Sequence, residues 1–238
     1  FIKSNLIPFE VNEAQQLDYL LNANLETDAQ SLFKGIYELK PAHYIVYDLS
    51  SHHLDIKQYY TLPNISLKQK SESEIIDLIE QKLITAVKLR LRSDVEVGSC
   101  LSGGLDSSII AGIIKHLEPN QHLKLFTATF PTEAFDESAY AKLVADSLNG
   151  NWKTVTPTAD EFFRDIEKLN YYQDLPIWST STYSQHRVMQ LASENNIKVV
   201  LDGQGADELF GGYAHHYISL WKEDFSFKKL NDAKPTIK

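Results

Sequence analysis

From Glu72 onward the sequence alternates short apolar runs with stretches of helical periodicity, and twice the passage from apolar run to helix goes through glycines: LSGGLDSS at 101–108 and DGQGADELFGGY at 202–213. The runs VEVGSCL, LKLFTATF, WKTVTP and IKVVLD read as buried strands. DSSIIAGIIKHL, SAYAKLVADSLN, a segment opened by Thr158 and Glu161, and TYSQHRVMQLASE read as helices between them. Strands that alternate with helices predict an α/β domain, a parallel sheet flanked by helices. Such a sheet binds ligands beyond the carboxyl ends of its strands, where both glycine loops fall.

The first 60 residues have a different texture. HYIVYDL and HHLDIKQYY, separated by Ser50 and Ser51, predict a β-hairpin. LPNISLKQKS reads as a linker over 61–71, which divides the chain into 1–65 and 66–238. After it, Ser71 and Glu74 form a capping-box pattern, and Ile75, Ile76, Ile79, Leu83, Val87 and Leu91 recur at helical spacing, so a long helix starts near Glu72.

Charge decides what the first loop must do. The chain carries 23 Lys+Arg against 32 Asp+Glu, a net charge of −9, which disfavours nucleic acid and anionic membrane as partners. Affinity for an anion must then come from local geometry. Gly103 and Gly104 let the backbone approach an anion closely, Ser102, Ser107 and Ser108 offer hydroxyls, and the helix that follows presents free N–H groups and its positive dipole end. Asp106 would repel a bound pyrophosphate unless a divalent cation lay between them, so its presence predicts magnesium. Neither the Gly-Lys-Ser/Thr of a Walker loop nor the third glycine of a Rossmann turn is present. The plainer alternative is a glycine turn with Asp106 as helix N-cap.

The second loop mirrors the first. Asp207 and Glu208 are adjacent and on a helix point about 100° apart, which suits one to a metal and the other to a substrate or structural partner. The alternative is a helix start whose acidic residues answer the dipole. Asp136, Glu137 and Ser138 are read as that kind of start for the helix after them, with Ala141, Leu143, Val144 and Leu148 on its core face.

LSGGLDSS and DGQGADELFGGY, in this order and at this spacing, resemble the synthetase domain of glutamine-dependent asparagine synthetases over roughly residues 70–238. The resemblance implies a PP-loop ATP pyrophosphatase fold, adenine nucleotide alpha hydrolase-like. Residues 32–60 look like the end of that family's amino-terminal glutaminase domain, so the hairpin would be its remnant. The implied activity uses ATP and Mg2+ to convert a carboxylate, aspartate in the family, to an acyl-adenylate that ammonia then attacks. By the same resemblance Ser102, Gly103, Gly104, Asp106 and Ser107 hold pyrophosphate and Asp106 and Asp207 coordinate magnesium. Backbone near Cys100, Leu101, Phe130, Asp202 and Gly203 holds the adenosine part, and Gln204 and Glu208 join Asp106 as candidate catalytic residues.

Departures from the family pattern bear on the acceptor. Phe1 is not the cysteine nucleophile that a glutaminase needs at its amino terminus, so ammonia would come from a domain missing from this chain. Gln204 stands where well-known asparagine synthetases have glutamate, and an amide cannot take a proton, although it can orient a substrate. The segment DLPIWSTSTYSQHR offers Trp178, Ser179, Thr180, Ser181 and Thr182, with Arg187 further along, in place of a clear threonine–arginine carboxylate clamp; Trp178 is a candidate for lining the acceptor pocket. A related amidotransferase, a beta-lactam synthetase-like enzyme and a non-catalytic nucleotide-binding relic therefore stand as alternatives. The single cysteine, the absence of a 20-residue apolar run and the lack of a signal-peptide pattern in FIKSNLIPFEVNE predict a cytoplasmic location. The start at Phe1 and the end at PTIK predict a fragment of a longer chain, and a homodimer is left open.

Overall fold

The computed structural model describes residues 8–25, 29–64, 70–177 and 179–224. Phe1, Trp178 and the expected boundary between residues 65 and 66 lie outside them. The chain divides into two compact units, 1–71 and 72–238.

In the first unit, α1 (Glu13–Asn22) opens on Asn12, whose side chain accepts from the Gln15 N–H. It precedes an antiparallel hairpin of β1 (His43–Asp48) and β2 (His53–Gln58). The turn is set locally: Asp48 Oδ1 accepts from the N–H groups of Ser50 and Ser51, both at 2.8 Å, and His52 closes it at φ 55°. The hairpin is the one expected, whereas α1 was not. Its Leu17, Leu20 and Leu21 are exposed, so no buried stripe marked it.

The second unit starts with α2 (Glu72–Arg90) and continues β3 (Val97–Cys100), α3 (Leu105–Leu117), β4 (Lys124–Ala128), α4 (Ser138–Ser147), β5 (Asn151–Val155), α5 (Ala159–Gln173), α6 (Thr180–Glu194), β6 (Val199–Leu201), α7 (Ala206–Phe210) and α8 (Ala214–Asp224). The four strands form one parallel sheet in the order β5-β4-β3-β6, the expected α/β architecture. The chain winds outward from β3 through β4 to β5, then returns through α5 and α6 to lay β6 on the other side of β3. That reversal opens a crevice beyond the carboxyl ends of β3 and β6.

Strand alternation separates two cores. Leu123 and Leu125 pack with Leu101, Ala111, Ile114, Ala141, Ala145 and Val87. Phe126 and Cys100 face the opposite side with Val188, Ala192 and Ile197. All four residues of β3 are buried, as a central strand covered on both faces requires. Two expected faces differ. On α4 it is Ala145 that joins Ala141 in the core, with Val144 and Leu148 at its edge, while Leu143 is exposed. On α2 Val87 is buried, and Leu91 just after its end packs on the core, but Ile76 and Ile79 are exposed. The capping box at Thr158 and Glu161 forms as expected.

Candidate nucleotide site

The phosphate-type loop is built by packing rather than by sequence alone. Gly103 has φ +96°, and a Cβ there would lie 2.7 Å from the Glu137 carbonyl oxygen and 2.8 Å from the Ala141 nitrogen, so only glycine lets the loop lie on the start of α4. Ser107 Oγ accepts from the Ser102 N–H at 3.1 Å and contacts Ser102 Oγ at 3.0 Å. Ser102 Oγ accepts from the Gly104 N–H at 3.2 Å, and Ser108 Oγ donates to the Gly104 carbonyl at 2.7 Å. The serines thus brace the loop internally. Gly104, not Asp106, occupies the N-cap of α3, and no side chain caps the helix there. Asp106 is left in the first turn with its carboxylate free of capping duty.

The second loop is laid directly on the first. A Cβ on Gly203 would fall 2.9 Å from the Ser107 nitrogen and 3.1 Å from Asp106 Cβ, so the two backbones meet at that glycine. Gly205 caps α7 at φ +89°. Asp207 folds over Gly212, where an added Cβ would overlap its carboxylate. Glu208 accepts from the Tyr213 hydroxyl at 2.9 Å, a bond that lowers the carboxyl's pKa and raises that of the phenol.

Around these loops lies a cleft of about 780 Å³ lined by Cys100, Leu101, Ser102, Asp106, Ser107, Phe130, Asp202, Gly203, Gln204, Asp207 and Glu208. Gly103 and Gly104 do not line it; Gly103 packs on the start of α4. All the candidate residues except those two glycines therefore border one cavity. Burial first, and then the Asp202 charge, push the Cys100 thiol well above its ordinary value, which keeps it protonated and poorly nucleophilic. Asp136 pins the Phe130 loop, accepting from the Phe130 N–H at 2.9 Å and the Ser138 hydroxyl at 2.5 Å. Those two bonds, the Ser138 one first, lower its pKa. Its role as a helix-start residue is thus realised with an added duty at the cleft.

Helix α6 forms the facing wall. Ser181, Thr182, Ser184, Gln185 and His186 border the cleft, and Gln185 Nε2 donates to Asp202 Oδ2 at 2.7 Å. Gln185 was not anticipated. The available signal was a polar face on α6, Ser181, Thr182 and Gln185, running into the apolar Val188 and Met189 one turn later. Arg187 points elsewhere: its Nη1 donates to Glu161 Oε1 at 2.7 Å and to the Tyr183 hydroxyl oxygen at 3.3 Å, while that hydroxyl donates to Asp165 Oδ2 at 2.9 Å. It ties α6 to α5 and does not line the cleft.

Asp106 and Asp207 supply hard oxygen donors to the same cavity. Among the described residues no group of three His, Cys, Asp or Glu forms a metal cage. Two carboxylates complemented by substrate phosphates are the usual arrangement for Mg2+, so the donor set fits that ion.

Residues 78–235 match the family model described as asparagine synthase. The chain belongs to the asparagine synthase family. Asparagine synthetase [glutamine-hydrolyzing] 1 of Bacillus subtilis is 31% identical over 75% of this chain and 27% of its own length. Other relatives in the same range carry a different name. Amidase chry2 of Gibberella zeae is 29% identical over 89% of this chain and 34% of its own, and amidase chyE of Penicillium rubens is 30% identical over 85% and 33%. The chain thus spans about a third of the length of these relatives. Among solved structures, the NH3-dependent NAD synthetase of Campylobacter jejuni has a TM-score of 0.39 at 17% identity, over 58% of this chain and 60% of that one.

Proposed function

We propose that this asparagine synthase family chain carries the adenylating site of an ATP-dependent amide-forming ligase. The observation that carries the reading is the meeting of the two glycine loops at Gly203, which joins a phosphate-type loop and a second acidic loop in one cleft at the sheet's switch point. Pyrophosphate would lie against Ser102, Gly103, Gly104 and Ser107 at the start of α3, where unpaired N–H groups and the dipole favour negative charge. The adenosine would lie along Cys100, Leu101, Phe130, Asp202 and Gly203.

Asp106 and Asp207 would hold a magnesium ion, which when bound neutralises charge on the leaving pyrophosphate. The chain's own contribution is positioning: the loops hold the α-phosphorus in line with the acceptor carboxylate, whose oxygen attacks as the bond to pyrophosphate breaks. Ammonia, supplied by a glutaminase domain, then attacks the acyl carbon of the adenylate and AMP departs. Gln204 borders the cleft as a hydrogen-bonding orienter. Glu208, held ionised by Tyr213, offers the attacking nitrogen a negative neighbour.

Aspartate is the first acceptor to test. A second reading keeps the adenylation and changes the acceptor. It is supported by Arg187, which is committed to Glu161 rather than to the cleft, and by family relatives named amidase. The experiment is carboxylate-dependent pyrophosphate release from ATP across a panel of acceptors. Release stimulated by aspartate supports asparagine formation, and release with another carboxylate alone supports the second reading. No release with any carboxylate, together with no nucleotide binding, contradicts both.

A further inference from the structure

Where β3 and β6 end side by side, three side chains from three elements converge. Cys100 closes β3, Asp202 follows β6, and Gln185 reaches across from α6 to donate to Asp202 Oδ2 at 2.7 Å. The Cys100 thiol interacts with both the Asp202 carboxylate and the Gln185 amide. All three border the cleft. A carboxylate offers about four lone-pair directions; the glutamine donor occupies one and fixes the plane of the group, and the Cys100 thiol can take at most one more, which leaves acceptor capacity free. The remaining capacity of Asp202 faces a cavity whose neighbouring wall, one residue on at Gly203, rests on the Ser107 nitrogen of the phosphate loop.

That position restricts the ligand. A carboxylate beside a phosphate site repels further phosphate and favours a neutral donor-bearing group attached close to it. A nucleoside carries such groups: the ribose hydroxyls and the exocyclic amine of adenine. We propose that Gln185 is a positioning residue that locks the Asp202 carboxylate as the hydrogen-bond acceptor for a nucleoside donor group, so that nucleotide selectivity is set from α6, outside both glycine motifs. The inference rests on the nucleotide reading above. It adds to that reading a side-chain contact and the residue that aims it.

The test is equilibrium binding of Mg2+ with non-hydrolysable analogues of ATP, 2′-deoxy-ATP, 3′-deoxy-ATP and inosine triphosphate to the full chain. Each analogue alters one candidate donor. The parent should lose about ten-fold or more in affinity for the analogue that lacks the donor Asp202 reads. In Gln185→Ala that ratio should shrink to under about three-fold, with affinity for the preferred nucleotide reduced and the others little changed.

Gln185→Glu places two carboxylates together and should weaken binding further. Adding Asp202→Asn to it restores a hydrogen bond with reversed polarity and should recover part of the ratio, whereas a purely structural contact would recover the thermal midpoint without the ratio. Equal affinity of the parent for all four nucleotides, or an unchanged ratio in Gln185→Ala, overturns the inference while leaving the nucleotide site intact. Failure of every nucleotide to bind overturns both.

Discussion

Gly203→Ala tests the convergence of the two loops through a single methyl group. The added carbon would stand 2.9 Å from the Ser107 nitrogen, 3.1 Å from Asp106 Cβ and 3.2 Å from the Asp106 carbonyl carbon. Ordinary carbon contacts lie near 3.5–4 Å, so the loops must separate by several tenths of an ångström. Two of the three opposing atoms are backbone at the start of α3, and no rotamer change removes them. Overpacking of this kind costs about 1–3 kcal/mol, which corresponds to roughly 5- to 150-fold in an equilibrium constant. The cost should fall on nucleotide affinity and on the thermal midpoint together, because the same contact builds the site and holds β6 to α3.

Gly112→Ala is the matched control. That glycine is inside α3 with nothing within 4 Å of its added Cβ, so the change should stabilise by about 0.5–1 kcal/mol. Calorimetric titration with a non-hydrolysable ATP analogue and a thermal melt of both variants decide the matter. Unchanged affinity and midpoint in Gly203→Ala would refute the packing of the second loop on the first.

Further outcomes follow from single contacts. Trp152 Nε1 donates to Thr127 Oγ1 at 2.8 Å, and Thr127 in turn donates to the Leu101 carbonyl, so Trp152→Phe should cost about 1 kcal/mol in a denaturant titration and loosen the entry to the phosphate loop. Cys100, 7% exposed and held protonated, should resist a thiol-specific reagent at pH 8 in the native chain and react fully once unfolded; rapid native labelling would contradict its burial. Glu161, Asp165 and Asp136 have pKa values below their ordinary 4.5, 3.8 and 3.8, chiefly through Arg187, Tyr183 and Ser138. Their stabilisation is fully present above those ordinary values and is lost as pH falls through the lowered ones. Melts should therefore be flat in this contribution from about pH 5.5 upward and fall below about pH 4.

Much of the second unit was legible because its signals are local. Each expected strand and helix from Glu72 to Leu201 corresponds to an element, since short apolar runs bounded by glycine or polar residues have few other uses in an alternating chain. Burial faces were less legible. Leu143, expected on the core face of α4, is two residues from Ala141 and therefore about 200° round the helix from it, so it points to solvent while Ala141, Ala145, Val144 and Leu148 share the inner side. α8 was not anticipated, since AHHYISLWKED lacks a cap signal and a continuous apolar stripe.

The glycine loops were readable as sites because their residue types have mechanical reasons, and Gly103 and Gly203 show those reasons in their close contacts. The links that aim the site were not readable. Gln185 to Asp202 spans 17 residues and Arg187 to Glu161 spans 26, and no periodicity connects α6 to a loop or to α5 before the fold brings them together.

The most direct measurement of the central claim is the magnesium dependence of binding of a non-hydrolysable ATP analogue to the parent chain and to Asp106→Ala, by calorimetry. Binding by the parent should strengthen at least ten-fold with magnesium, and the variant should lose that enhancement with its fold retained. Magnesium-dependent binding that is identical in the two proteins would contradict the assignment of the cleft.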